Sequence, residues 1–238
     1  MKAGRYFYST AAIIILLITF KGFHPFYLRG EGMGGRKISP QILPLVIVHG
    51  AAMTAWIVLF LVQAMLISVR RRKLHVKLGW SALAIAPVIT VTGFMVAIQS
   101  VRRDPGMPFC GMDYRQFLLI MLTEIALFTL FVFAGILTRK RLEIHRTMML
   151  LASLSILAGA TVRMPILFPI FGEGGWVGIF GPIFSLGAVF LLVRSLMRHG
   201  VDRWFAAGYV SMIVFYVAAC KVAVSDVWSQ LAKAIFNT

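Results

Sequence analysis

Seven apolar stretches, each close to twenty residues long and closed off by Lys, Arg, Gly or Pro, occupy most of the chain. A run of that length has one favourable environment. At about 1.5 Å per residue, a helix of about 20 residues crosses the roughly 30 Å hydrocarbon core of a bilayer with its backbone polar groups paired internally. The stretches lie near residues 6–27, 43–69, 78–100, 115–137, 146–166, 178–196 and 204–224, and predict an all-α, polytopic transmembrane bundle of about seven helices. The connections are short, so residues 1–238 read as a single integral membrane domain. Composition agrees: 60% of residues are apolar, 13% are charged and the mean hydropathy is +0.87, which excludes an ordinary soluble domain.

The net charge of +16 would suggest nucleic acid in a soluble chain, but here the basic residues sit in short runs between spans. That pattern sets topology and attracts anionic lipid, so the expected partner is the bilayer and not nucleic acid. With the N-terminus inside, the inner segments carry Lys2 and Arg5, five basic residues from Arg70 to Lys77, four from Arg139 to Arg146, and Arg194, Arg198 and Arg203; ten basic residues remain elsewhere. The bias predicts an N-in/C-out protein. The first apolar run, behind Lys2 and Arg5, is expected to remain as a helix because no small-x-small cleavage site precedes Lys21. The segment 225–238 is expected to be an amphipathic tail along the outer surface. Cys110 and Cys220 have no partner spacing for a disulfide framework or a zinc site and are expected to be free.

Ionisable side chains in hydrocarbon are costly and usually face the interior of a bundle. Glu124 lies nine residues into the fourth span, about 13 Å deep, and is too short to reach the headgroups. It needs a proton, a hydrogen bond or a cation, and the intramembrane candidates on the outer side are Arg163 and His49. An outer-half polar cluster of His49, Glu124 and Arg163 is therefore expected. On the second span His49, Met53, Trp56, Phe60 and Gln63 form one stripe, polar at both ends and aromatic between. Such a stripe suits a flat ligand, or an ordinary packing face. On the fifth span His145, Met149, Ala152, Ile156, Gly159 and Arg163 share one face of a continuous helix, with snorkelling as the competing role for Arg163.

The five histidines fall at two depths, His24 and His49 outside and His75, His145 and His199 inside. Two His from different helices at one depth can hold a b-type haem, which makes His49, His75 and His145 the candidate cofactor residues. Against this, the inner histidines sit in basic turns at the apolar boundary, where a solvated role is the ordinary one. No HxxxH or HExxH spacing occurs, so a non-haem metal site is not expected. A retinal site at Lys221 is disfavoured because the third span has no carboxylate to serve as counter-ion. Two segments echo each other, RRRKLHVKLGW around His75 and TRKRLEIHRTMML around His145, with seventy residues between the histidines. A duplicated helical hairpin would produce such an echo.

Several of these segments, FHPFYLRG, HGAAMTAWIVLFLVQ, RRRKLHVKLGW, EIHRTMMLLASLS with Arg163, FGPIF and DRWFAAGY, resemble an uncharacterised family of bacterial multi-pass inner-membrane proteins across nearly the whole chain. The resemblance implies the bacterial inner (plasma) membrane. The His-bearing helices are also similar to transmembrane b-type cytochromes, which implies haem b. Two functions are therefore expected to compete: a haem- or quinone-linked redox carrier with an intramembrane polar site, and a non-enzymatic small-molecule carrier or assembly partner, with a membrane-protein partner or a second copy of the chain.

Overall fold

The structure is a computed structural model that describes residues 6–32 and 35–236, so Lys2 and Arg5 lie outside the described residues. Among the described residues, seven helical spans are long and apolar enough to cross a membrane, as an all-α bundle requires. They are α1 (Phe7–Arg29), α2 (Leu43–Ser68), α3 (Arg72–Gly79) continued by α4 (Ala82–Arg103), α5 (Tyr114–Leu137), α6 (Leu142–Ser155) continued by α7 (Ala158–Thr161), α9 (Gly175–Arg198) and α10 (Arg203–Ala223). A single turn, α8 (Phe168–Phe171), precedes α9, and α11 (Asp226–Phe236) follows α10.

Burial identifies the centre. Every residue from Leu150 to Ser155 on α6 is buried, whereas the other spans expose one apolar face to the surroundings, as helices bordered by lipid do. α5 packs on α4, α6 and α10, and α2 packs on α1 and α4. Small residues permit the closest approaches: a Cβ on Gly22 of α1 would collide with the backbone of Ala160 on α7. At the basic end of the bundle, the end that carries the Arg- and Lys-rich turns, Arg194 and Asp202 form a buried ion pair at 3.1 Å. Asp202 also caps α10 by accepting from the Phe205 N–H at 3.3 Å.

Three elements differ from the sequence expectation. The third and fifth spans start earlier than residues 78 and 146, at Arg72 and Leu142, because their first turns are basic and a hydropathy run does not register them. The fifth span is also not one continuous helix. It breaks at Ile156–Leu157, and the Ser155 carbonyl accepts instead from the Tyr216 hydroxyl of α10 at 2.6 Å. A broken helix is tolerated at membrane depth when a neighbour takes up the freed backbone group. The shared face proposed from His145 to Arg163 is therefore corrected, since the break sets Arg163 off the α6 helix that carries His145. Finally, the connection between α4 and α5 contains a hairpin, β1 (Pro108–Phe109) against β2 (Met112–Asp113), turned by Cys110 and Gly111 with φ of 52° and 79°. Asp113 then forms a reciprocal capping box with Gln116 at the start of α5.

Candidate functional site

Two groups of polar residues lie at opposite ends of the α2 stripe. At the basic end, His75 and His145 meet. Their ring centres are 6.3 Å apart and their planes nearly perpendicular, at 87°. Each ring is held from behind: His75 Nδ1–H donates to the Gln63 carbonyl of α2 at 3.3 Å, and His145 Nδ1–H donates to the Gly135 carbonyl of α5 at 2.8 Å. A carbonyl can only accept, so each neutral ring carries its proton on Nδ1 and leaves the Nε2 lone pair free.

The two halves of this site repeat one local plan. Arg71 caps α3 and receives the His75 N–H at 3.1 Å; Arg141 caps α6 and receives the His145 N–H at 3.0 Å. The sequence echo is therefore an echo of structure as well. The rings also reach deeper than their helix positions suggest. Gln63 lies five residues inside the end of α2 and Gly135 two residues inside the end of α5, about 8 Å and 3 Å along their helices. Both rings remain half-buried near the basic end of the bundle.

The 6.3 Å between the ring centres can be compared with two imidazoles on opposite sides of one metal. Two imidazoles that share one metal have ring centres about 6 Å apart, since each metal–nitrogen bond is about 2 Å and each ring centre lies about 1 Å beyond its nitrogen. Next to the pair, the Gln63 side-chain amide is buried, with no hydrogen-bond partner for either its N or its O among the described residues. An orphaned buried amide marks a place where a further polar group belongs.

At the other end, His49, Glu124 and Arg163 all line one cavity of about 300 Å³. His49 of α2 bonds through Nδ1 to the Thr92 hydroxyl of α4 at 3.0 Å. Arg163 donates to the Gly159 carbonyl and lies over the Phe23 ring of α1, 4.6 Å from its centre. Glu124 of α5 is only partly buried, and as a lining residue it turns toward the cavity; among the described residues it has no hydrogen bond and no ion pair within 4.0 Å. It shares the cavity with Arg163, and no ion pair within 4.0 Å joins the two side chains. The walls are mainly aromatic, with Phe26, Phe109, Phe117 and Phe128 among them. The hairpin closes over this end, held by the Gly175 N–H donating to the Cys110 carbonyl at 3.3 Å, and burial pushes the Cys110 thiol up to about 11.

His49 thus belongs to a different site from the other two candidate cofactor histidines. It precedes Gln63 by fourteen residues on one helix, about 21 Å along the axis. Between them the stripe is buried: Trp56 and Phe60 are core residues, and Trp56 packs edge-on against Phe128 with ring centres 4.9 Å apart. Sequence reasoning missed Thr92, Phe23 and Tyr216. Aromatic and hydroxyl residues are abundant in such spans, and nothing in the local pattern sets these three apart.

Fold and geometry together define a multi-pass membrane protein with an imidazole pair near one end of the bundle and a polar cavity near the other. None of the protein-family models, curated proteins or solved structures compared with the chain matches it.

Proposed function

We propose that the protein is a haem b-linked redox carrier of the bacterial inner membrane, in which His75 and His145 would hold the haem iron. The observation that carries the reading is the imidazole pair itself: ring centres 6.3 Å apart, both Nδ1 protons committed to backbone carbonyls, both Nε2 atoms free. When bound, such a haem supplies reversible one-electron transfer at its iron. The chain's part is to fix both rings, keep them in one tautomer and exclude water. Hydrogen bonds from Nδ1 to main-chain carbonyls do the first two and raise the basicity of the ligating nitrogen.

The basic turns next to the pair, Arg70 to Lys73 and Arg139 to Arg141, would offer positive charge to the carboxylates of a bound haem. With the N-terminus inside, these turns face the cytoplasm, and they would also hold anionic lipid.

Protein expressed with haem supply and purified in mild detergent should show an intense Soret band that shifts on reduction. His75→Ala and His145→Ala should each remove the low-spin spectrum while leaving the far-UV helical signal intact. A folded wild-type preparation with no haem by mass spectrometry overturns the reading.

A further inference from the structure

Among the described residues that line the cavity at the His49 end, Arg163 is the only Lys or Arg, and no carboxylate lies within 4.0 Å of it. A guanidinium keeps its charge at any ordinary pH, so the cavity holds a cation in low-dielectric surroundings without a counter-ion. Two neutral contacts offset part of that cost. One N–H goes to the Gly159 carbonyl, and the guanidinium lies over the Phe23 ring. The other N–H groups of Arg163 have no hydrogen-bond partner among the described residues.

The remaining titratable groups of the lining do not supply the missing charge. Glu31 is already paired, 3.2 Å from Arg29. Glu124 has neither hydrogen bond nor ion pair among the described residues, and a carboxyl removed from water on those terms holds its proton. His49 donates from Nδ1 to the Thr92 hydroxyl at 3.0 Å, because the one Thr92 proton goes to the Val88 carbonyl at 2.5 Å. An imidazole so held is neutral or cationic and never anionic. Tyr114 contributes a phenol, neutral in the ordinary pH range.

Size and walls then narrow the anion. About 300 Å³ exceeds what a simple inorganic ion fills and lies at the small end of ligand pockets. Phe26, Phe109, Phe117 and Phe128 make the walls suited to a flat apolar body. One cation answers one negative charge, and a second carboxylate on the ligand would be buried without a partner. We propose that this cavity binds a small monocarboxylate with a flat apolar body, its carboxylate on the free N–H groups of Arg163 and its body between the phenyl walls. The planar fork of a guanidinium matches a carboxylate in shape as well as in charge. Glu124, a neutral donor in the same cavity, gains in the ligand the acceptor it lacks. Neither His75 nor His145 lines this cavity, so the inference does not rest on the redox reading.

The probe is benzoate, titrated calorimetrically into the purified full chain in mild detergent, with titration into empty micelles subtracted. Benzamide has the same ring without the charge, benzylammonium carries the opposite charge, and terephthalate adds a second carboxylate. Benzoate should bind at least about tenfold more tightly than each of the three, which is what a charge-assisted hydrogen bond supplies. Arg163→Gln should reduce benzoate to the affinity of benzamide, and Arg163→Lys should restore part of the difference. Glu124→Gln keeps a neutral donor in place, so benzoate affinity should stay within about threefold of the parent. A tightening of about tenfold or more in Glu124→Gln would make Glu124 the anion that Arg163 already answers, and overturns the inference. Equal binding of benzoate and benzamide by the parent chain, or an anion preference that survives in Arg163→Gln, overturns it too. The ligand series on the parent chain needs no variant, so it decides the question even if Arg163→Gln does not fold. Haem content measured on the same preparation separates the two readings: benzoate binding by protein without haem supports this one and overturns the other.

Discussion

Replacing Tyr216 with Phe isolates the bond that holds the central helix open. The Tyr216 hydroxyl donates to the Ser155 carbonyl at 2.6 Å, and both residues are fully buried. The ring is stacked on Phe180, with centres 4.1 Å apart and planes 9° from parallel, and Phe keeps that contact. No cavity opens, so the loss is that of one buried carbonyl left without its donor, about 1–3 kcal/mol. Tyr216→Ala should cost about 3–5 kcal/mol, because it adds the cavity left by an aromatic ring. Reversible unfolding in mixed detergent micelles, followed by helical circular dichroism, measures both. The alternative is that the freed carbonyl recovers a partner within its own helix by winding Ile156 and Leu157 into it. Arg163 would then turn by about 100° for each residue taken up. In that case Tyr216→Phe is nearly neutral in stability but changes ligand binding in the cavity. A variant as stable as the parent and unchanged in the cavity would refute the claim that Tyr216 maintains the break.

Three further outcomes are expected. Removing Arg194 from the buried Arg194–Asp202 pair, as in Arg194→Met, should lower stability in the same unfolding assay by about 1–3 kcal/mol, because Arg198 still reaches Asp202 at 3.3 Å. Arg194→Met with Asp202→Ser, which keeps a cap on α10, should cost less than Arg194→Met alone; an additive loss would argue against the pair. In a Cys220→Ala background, Cys110 should react with maleimide about a hundredfold more slowly at pH 8 than an ordinary exposed thiol. A thiol raised to about 11 is almost wholly protonated there, and its rate should climb until the pH passes that value; a plateau near pH 9 would contradict the assignment. Gly22→Ala should lower the melting temperature by the equivalent of about 1–3 kcal/mol, since its methyl group meets the Ala160 backbone and not a side chain that can swing away. An unshifted melting curve would show that α1 and α7 yield at no cost.

The spans were legible because the bilayer imposes a length and a polarity on each of them, and both are read one segment at a time. The same holds for the α2 stripe, whose period places Trp56 and Phe60 in the core. What stayed hidden depends on residues distant in sequence. The break after Ser155 is held from sixty-one residues away. The hairpin before α5 turns through Cys110 at positive φ, a conformation usually signalled by Asn or Gly and not by Cys. His75 and His145 were placed at one depth, but their approach to 6.3 Å follows from how α2, α4, α5 and α6 pack.

The repeated plan around those two histidines explains how a boundary residue can serve an interior site. A histidine within the first turns of a helix would ordinarily face the headgroups, and each of these follows a basic turn. In both hairpins, however, the ring turns back toward the helix that precedes it and takes a carbonyl there, so its depth is set by the partner carbonyl and not by its own backbone. Having done this once, a helical hairpin gains nothing from the Nε2, which has no hydrogen-bond partner among the described residues. Two such hairpins bring the rings to 6.3 Å, as the proposed shared site requires. On this argument His75 and His145 are useful only together: His75→Ala should leave His145 with a solitary acceptor and abolish binding at the pair as fully as the double variant, whereas two independent histidines would lose binding in two separable steps.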